Sequence, residues 1–209
     1  MMFKKYKTIF WDFDGVILDS DEVRTEGFRD IFQDFNNQQV ELIVEYHKQN
    51  GGLSRYQKID FFFDKILKKK ISKDEKNKYA KAYSNYCFDK LCKPNLLIQD
   101  SIRFIVNNFR NFNFHIVSAS DQSELRIVCN KLGIEKYFIS IMGSPINKKI
   151  NIQNLISNNR YSKIECCLIG DSFNDKESAE ENSIDFIGYN NLNLLRSTTQ
   201  YVFSFTNLC

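Results

Sequence analysis

Thr8-Ile9-Phe10-Trp11-Asp12-Phe13-Asp14-Gly15 is the stretch on which the reading of this chain turns. A short run of β-formers, apolar from Ile9 to Trp11, has the look of a strand buried on both faces. The acids and the glycine directly behind it mark the point where such a strand opens into a functional loop. What surrounds this strand decides which sheet it joins.

Downstream the apolar spacing changes to three and four. Phe28, Ile31, Phe32 and Phe35 define one helix face, with Asp19 or Ser20 as its cap. A second helix is expected over residues 39–49, stopped by Gly51-Gly52. Ser54 caps a third, with Tyr56, Ile59, Phe63 and Ile66 on one side. Ser72 and Glu75 form a capping box that opens a fourth, which carries Tyr79, Tyr83, Tyr86, Cys87 and Leu91 until Pro94. Residues 19–95 therefore read as an all-helical insertion.

Beyond it strands and helices alternate. Strands are expected over 112–117, 138–142, 165–169, 185–188 and 201–205, and helices over 123–132, 149–158 and 176–181. This alternation predicts an α/β fold: a Rossmann-like parallel sheet with helices on both faces, joined by the first strand across the insertion. The division that follows is a discontinuous core of residues 1–18 and 96–209 around the helical unit 19–95.

The composition narrows the class. The chain has 209 residues, 43% of them hydrophobic, and a net charge of +3, which is ordinary for a globular protein and too mild for a nucleic-acid binder. No apolar run reaches the length of a membrane span, and the apolar stretch after Lys4, Lys5 and Lys7 is too short for a secretory signal. Six cysteines, Cys87, Cys92, Cys129, Cys166, Cys167 and Cys209, lack paired C-x-x-C spacing, and neither His47 nor His115 has a cysteine at metal-finger distance. These features predict a soluble cytoplasmic chain with reduced, mostly buried thiols, no nucleic-acid or membrane partner, and a monomer or weak homodimer.

Four polar clusters fall where the strands end: Asp12-Phe13-Asp14-Gly15, Ser118-Ala119-Ser120, Gly143-Ser144-Pro145-Ile146-Asn147-Lys148 and Gly170-Asp171-Ser172-Phe173-Asn174-Asp175. A parallel sheet brings them to one edge. Converging carboxylates repel unless a cation intervenes, and hard oxygen ligands without clustered His or Cys favour Mg²⁺. Asp12-x-Asp14-Gly15 does not fit a calcium loop of the EF-hand kind, where the glycine stands sixth.

In order and type these motifs resemble the haloacid dehalogenase-like superfamily of phosphohydrolases, over essentially the whole chain. The resemblance implies Asp12 as nucleophile, forming an aspartyl-phosphate, and Asp14 as general acid and then base. Residues two apart on an extended segment face the same way, so both carboxylates can address one phosphoryl group. It further implies Mg²⁺ held by Asp12, the Asp14 carbonyl and Asp171, with Asp175 supporting the metal through water. Ser118 and nearby backbone N–H groups, including that of Ala119, would bind phosphoryl oxygen. Lys148, chosen over its neighbour Lys149, would neutralise charge and orient Asp12. The true dehalogenases lack a second acid, so Asp14 favours phosphoryl transfer.

The insertion 19–95 resembles the small helical cap of the phosphoglycolate phosphatase and β-phosphoglucomutase-like branch, hinged to exclude water and contact the substrate. Gly52-Leu53-Ser54-Arg55 resembles the cap segment whose arginine engages a distal anion, which makes Arg55 a substrate candidate; its alternative is a solvated first-turn residue. Arg24 stands where the mutases place a histidine, a second substrate candidate and an argument for hydrolysis over mutase activity. The expected activity is hydrolysis of a small phosphorylated metabolite, with a phosphomutase or a non-catalytic phosphate-binding regulator as alternatives. Eight lysines between 65 and 81, against Asp74 and Glu75, read as a solvated face. His115 reads as a core histidine, and Phe61-Phe62-Phe63 as packing.

Overall fold

Side chains alternate along β1 (Thr8–Trp11): Ile9 and Trp11 enter one apolar cluster and Phe10 the opposite one, all fully buried. The strand therefore needs a layer on each face. The computed structural model, which describes residues 2–198, 200–206 and 208, supplies both. After β1 come four helices, α1 (Asp21–Ile31), α2 (Asn37–Gln49), α3 (Arg55–Phe61), continued by a π-helical turn at Phe62–Ile66, and α4 (Lys73–Leu91). Then follow α5 (Gln99–Asn108), β2 (Asn113–Asp121), α6 (Gln122–Lys131), β3 (Ser140–Ser144), α7 (Lys148–Asn159), β4 (Cys166–Gly170), α8 (Phe173–Asn182), β5 (Asp185–Tyr189) and β6 (Tyr201–Val202).

The six strands form one sheet in the order β3-β2-β1-β4-β5-β6, and every pairing is parallel. The order reverses at β1, so the crevice lies beyond the carboxyl ends of β1, β2 and β4. Phe10 meets Ile152, Leu155 and Ile156 of α7 and Ala179 of α8 in one cluster. Ile9 and Trp11 share the other with Phe104 and Ile105 of α5 and Leu125 and Val128 of α6.

Aromatic packing draws α1 to α4 together. The Phe32 and Phe62 rings stack with centroids 3.8 Å apart, and Tyr46 stacks on Phe61 at 3.5 Å. Tyr83, Cys87 and Leu91, spaced by four, are buried along α4. The capping boxes at Ser54/Gln57 and Ser72/Glu75 start α3 and α4. His115 is buried, with Nδ1 2.8 Å from Ser140 and Nε2 3.1 Å from the Tyr161 hydroxyl, and Cys166 and Cys167 are buried in β4. Of the eight lysines between 65 and 81, all but the half-buried Lys76 are exposed. No helix among the described residues is long and apolar enough to cross a membrane.

Several boundaries differ from expectation. α5 was not anticipated: its N-cap is Ile98, which offers no capping side chain. β2 runs on through Ser118 to Asp121, with a register shift between Val117 and Asp121, and β3 lies two residues later than expected. α2 starts at Asn37, because Asn36 accepts a bond from the Gln38 N–H. α8 starts at Phe173, because Ser172 and Asp175 form a capping box. The last strand is only Tyr201–Val202. Ser20 precedes α1 without capping it, since its hydroxyl is turned to Asp14. Cys209 lies outside the described residues.

Candidate active site

Asp12 continues the β1 ladder, its N–H donating to the Ile169 carbonyl of β4 at 2.9 Å, and the residue is 5% exposed. Asp171 follows β4 directly, and Asp175 sits in the first turn of α8 with its side chain fully buried. One carboxylate oxygen from each of Asp12, Asp171 and Asp175 lies within 4.8 Å of the others. Gly15, at φ +76°, makes this approach possible. A Cβ there would stand 2.1 Å from Asp171 Oδ2, which no side chain permits.

Lys148, the first residue of α7 after the Asn147 cap, reaches into this cluster. Its Nζ donates to Asp12 Oδ1 at 2.7 Å and also bonds Asp175 Oδ1. Its neighbour Lys149 points away and pairs with Glu181. The other Asp175 oxygen accepts from the Ser172 N–H and hydroxyl at 3.1 and 2.7 Å, so Asp175 holds both the lysine and the helix start.

The electrostatics of the cluster are those of too many anions for one cation. Burial and the Asp175 charge push the Asp12 carboxyl up to about 7 despite Lys148. Burial, Asp12 and Asp175 raise Asp171 well above the usual carboxylate range. The same two carboxylates hold Lys148 protonated against its own burial. This donor set, hard, oxygen-only and mutually repelling, fits a divalent cation such as Mg²⁺.

Asp14 stands apart from that cluster. Its carboxylate accepts from Ser20 Oγ at 2.6 Å, Ser120 Oγ at 2.6 Å and Arg24 Nε at 3.1 Å. Burial alone would raise this carboxyl, but the guanidinium and the two hydroxyls overrule it and bring it to about 2. Ser120, named with Ser118 in the cluster that ends β2 but given no role there, is the residue of that cluster that bonds Asp14. Ser118 is buried, with its Oγ accepting from the Ser120 N–H at 3.1 Å, and Ala119 lines the cavity above.

Arg24 and Arg55, expected at the substrate, both line the cavity next to Asp12 and are each paired to Glu124. Arg24 Nη1 donates to Glu124 Oε1 at 2.9 Å, and Arg55 holds both Glu124 oxygens at 2.9 and 3.0 Å. Arg55, 5% exposed, also bonds Ser84 and lies over the Tyr83 ring. A buried guanidinium demands a carboxylate, and Glu124 at the start of α6 supplies one to both arginines. Nothing in the sequence near Arg55 announced this partner, 69 residues away.

Asp12, Asp14 and Asp171 line a cavity of about 60 Å³ together with Ala119 and Ser120 from the sheet edge and Arg24, His47, Arg55 and Lys58 from the helical segment. Gly52 allows the two layers to meet, since a Cβ there would lie 2.5 Å from Asn174 and 2.8 Å from the Ser172 hydroxyl.

The fold and site together are a doubly wound parallel sheet with acidic residues clustered at its switch point. The chain belongs to the haloacid dehalogenase-like hydrolase family, whose family model matches residues 9–189. No curated protein sequence matches it. Among solved structures it is similar to β-phosphoglucomutase from Clostridium difficile, with 19% identity, 98% of this chain and 93% of that chain covered, and a TM-score of 0.79. It is also similar to a predicted phosphoglycolate phosphatase from Haemophilus somnus, with 16% identity, 98% and 97% covered, and a TM-score of 0.75. A third is YfnB from Bacillus subtilis, solved bound to magnesium, with 18% identity, 98% and 97% covered, and a TM-score of 0.71. At such identities the likeness speaks to the fold.

Proposed function

We propose that this hydrolase is a Mg²⁺-dependent phosphomonoesterase acting on a small phosphorylated metabolite, with residues 19–95 serving as a cap over a core of 1–18 and 96–209. The observation that carries the reading is the buried Asp12 carboxylate, 2.7 Å from Lys148 and clustered with Asp171 and Asp175 at the sheet's switch point. Asp12 and Asp171 would hold the cation, with the Asp14 carbonyl, and Asp175 would back them. When bound, the cation would neutralise the carboxylates and polarise the phosphoryl group.

Asp12 attacks phosphorus in line; the bond to the leaving oxygen breaks, and an aspartyl-phosphate forms on the side chain. Water then attacks that phosphorus, releasing inorganic phosphate and regenerating Asp12. Lys148 keeps Asp12 aligned and offsets charge. Ser118 and the N–H groups around Ala119 receive phosphoryl oxygens. Asp14, held ionised by Arg24, Ser20 and Ser120, is set to take the proton of the attacking water. To protonate the leaving oxygen in the first half-reaction it must first gain a proton, which requires the Arg24 contact to loosen.

Arg24 also bears on the mutase alternative. It stands where the mutases place a histidine, and a guanidinium paired to Asp14 and Glu124 cannot take up and return a proton as an imidazole does, which favours hydrolysis. The test is phosphate release from p-nitrophenyl phosphate and a panel of sugar phosphates and phosphoglycolate, in Mg²⁺ and in EDTA. Magnesium-dependent release on at least one ester is expected; none on any ester overturns the reading.

A further inference from the structure

Glu124 takes no part in the chemistry above, yet two cavity-lining arginines share it. It is 7% exposed and lies behind them, in the first turn of α6. Its own place is set locally. Asp121 caps α6 by accepting from the N–H groups of Ser123 and Glu124 at 3.0 and 3.2 Å, and Tyr56 of α3 donates to the same Asp121 side chain at 3.1 Å. Leu125 and Val128 bury the helix against the sheet. The Glu124 carboxylate is therefore fixed to the short stretch of chain that also carries Ser118 and Ser120.

Arg24 points its guanidinium in three directions: Nε to Asp14 Oδ1 at 3.1 Å, Nη2 to Ser120 Oγ at 2.9 Å and Nη1 to Glu124 Oε1 at 2.9 Å. Ser120 closes a ring, its hydroxyl donating to Asp14 Oδ2 at 2.6 Å. The guanidinium is planar, so the contact at Nη1 fixes the plane in which the other two are made. A long, rotamer-rich side chain does not keep one plane unaided. Among the described residues Arg24 pairs with Asp14 and Glu124 alone, and Arg55 with Glu124 alone. Without Glu124 the carboxylate left to Arg24 is Asp14, and Arg55 stands unpaired in the same cavity. Both changes draw positive charge toward Asp14 and pull its carboxylate out of line with the scissile bond.

We infer that Glu124 is a positioning residue for the hydrolysis: by holding Arg24 and Arg55 away from Asp14 on their far sides, it keeps the Asp14 carboxylate aimed at the leaving oxygen. This rests on the phosphatase reading and adds to it a residue that touches neither substrate nor the acidic cluster. The role is distinct from holding the fold together. A structural carboxylate serves every ester alike, whereas one that aims Asp14 matters in proportion to how much the leaving group needs an acid.

The experiment measures kcat/KM, which reports formation of the aspartyl-phosphate, for p-nitrophenyl, phenyl and benzyl phosphate, three ring-bearing esters whose leaving oxygens need progressively more help from an acid. The proteins are the wild type, Glu124→Gln and Glu124→Asp. In Glu124→Gln the ratio of p-nitrophenyl to benzyl phosphate should rise by about tenfold or more over the wild type, with phenyl phosphate between. Glu124→Asp, which keeps the charge and shortens its reach, should restore part of the wild-type ratio. Where Glu124→Gln does not fold, the double variant Glu124→Gln/Arg55→Met removes the surplus buried charge and should show the same raised ratio, because Arg24 still lacks its second carboxylate. A ratio equal to that of the wild type in every folded variant, with all three esters slowed alike, is the signature of a merely structural carboxylate and overturns the proposal. Turnover of any of the three esters by the wild type keeps the phosphatase reading standing in that case; no release from them or from the sugar phosphates and phosphoglycolate removes both.

Discussion

Arg24 donates to Asp14 Oδ1 at 3.1 Å and to Glu124 Oε1 at 2.9 Å, so one guanidinium of α1 ties the loop after β1 to the first turn of α6. Arg55 closes the same knot from α3 by taking both Glu124 oxygens. The helical segment and the sheet edge are thus joined through buried charge as well as apolar contact. Double pairing accounts for the depressed Glu124 carboxyl: burial opposes its ionisation, and the two guanidinium groups more than compensate.

Arg55→Met should therefore act on stability before it acts on substrate. Loss of one partner from a buried charge cluster costs on the order of 3 kcal/mol. Chemical denaturation should show this loss, with the KM for p-nitrophenyl phosphate retained. A large rise in KM at unchanged stability would instead make Arg55 a substrate contact.

Asp12→Asn should lower turnover by about 10³-fold or more, since it removes the proposed nucleophile while keeping its shape. The variant should melt no lower than the wild type in EDTA, because an amide in that place carries no charge to bury beside Asp175. Steady-state phosphate release and a thermal melt on the same preparation test both halves.

Lys58 gives the stability curve a definite pH slope. Burial lowers its ammonium to about 7, against about 10.4 in an unfolded chain. Between those values the unfolded state binds more protons, so this group makes stability rise with pH across the window. Below pH 7 both states are protonated and the penalty is constant. Lys58→Met should melt higher than the wild type at pH 7, and the gap should narrow toward pH 10. A gap that does not change with pH would show that burial of the charge is not the cause.

Gly15→Ala places a Cβ 2.1 Å from Asp171 Oδ2 at a backbone φ of +76°. The backbone strain alone costs roughly 1–2 kcal/mol, and Asp171 must move as well. Magnesium titration followed by melting temperature should show a weaker metal-induced rise than in the wild type. An unchanged rise would remove Asp171 from the expected metal set.

How much was legible beforehand follows from the range of each interaction. The apolar run Ile9 to Trp11, the change to helical spacing after Asp21 and the later alternation are local patterns, and they sufficed for the sheet, its parallel sense and the helical insertion. Ser72 with Glu75 and the Ser54 cap act within one turn, so those starts could be read as written; the structure adds Gln57 as the partner of Ser54. α5 went unread because Ile98 offers no cap, and the end of β2 because its register shifts inside the motif itself. Lys148 and Lys149 show the limit of local reading: adjacent residues, one buried on Asp12 and one paired with Glu181 at the surface.

By itself the sequence determined that acids, hydroxyl and lysine would meet at one edge of the sheet, because strand ends in a parallel sheet converge whatever the details of packing. Only the tertiary structure decided which charges pair with which. Glu124 takes Arg55, Arg24 takes Asp14, and Lys58 is left with His47, because α1, α3 and α6 come together from points up to 100 residues apart. Ion pairing in a buried site depends on ångström distances between such segments, and one-dimensional spacing carries no record of them.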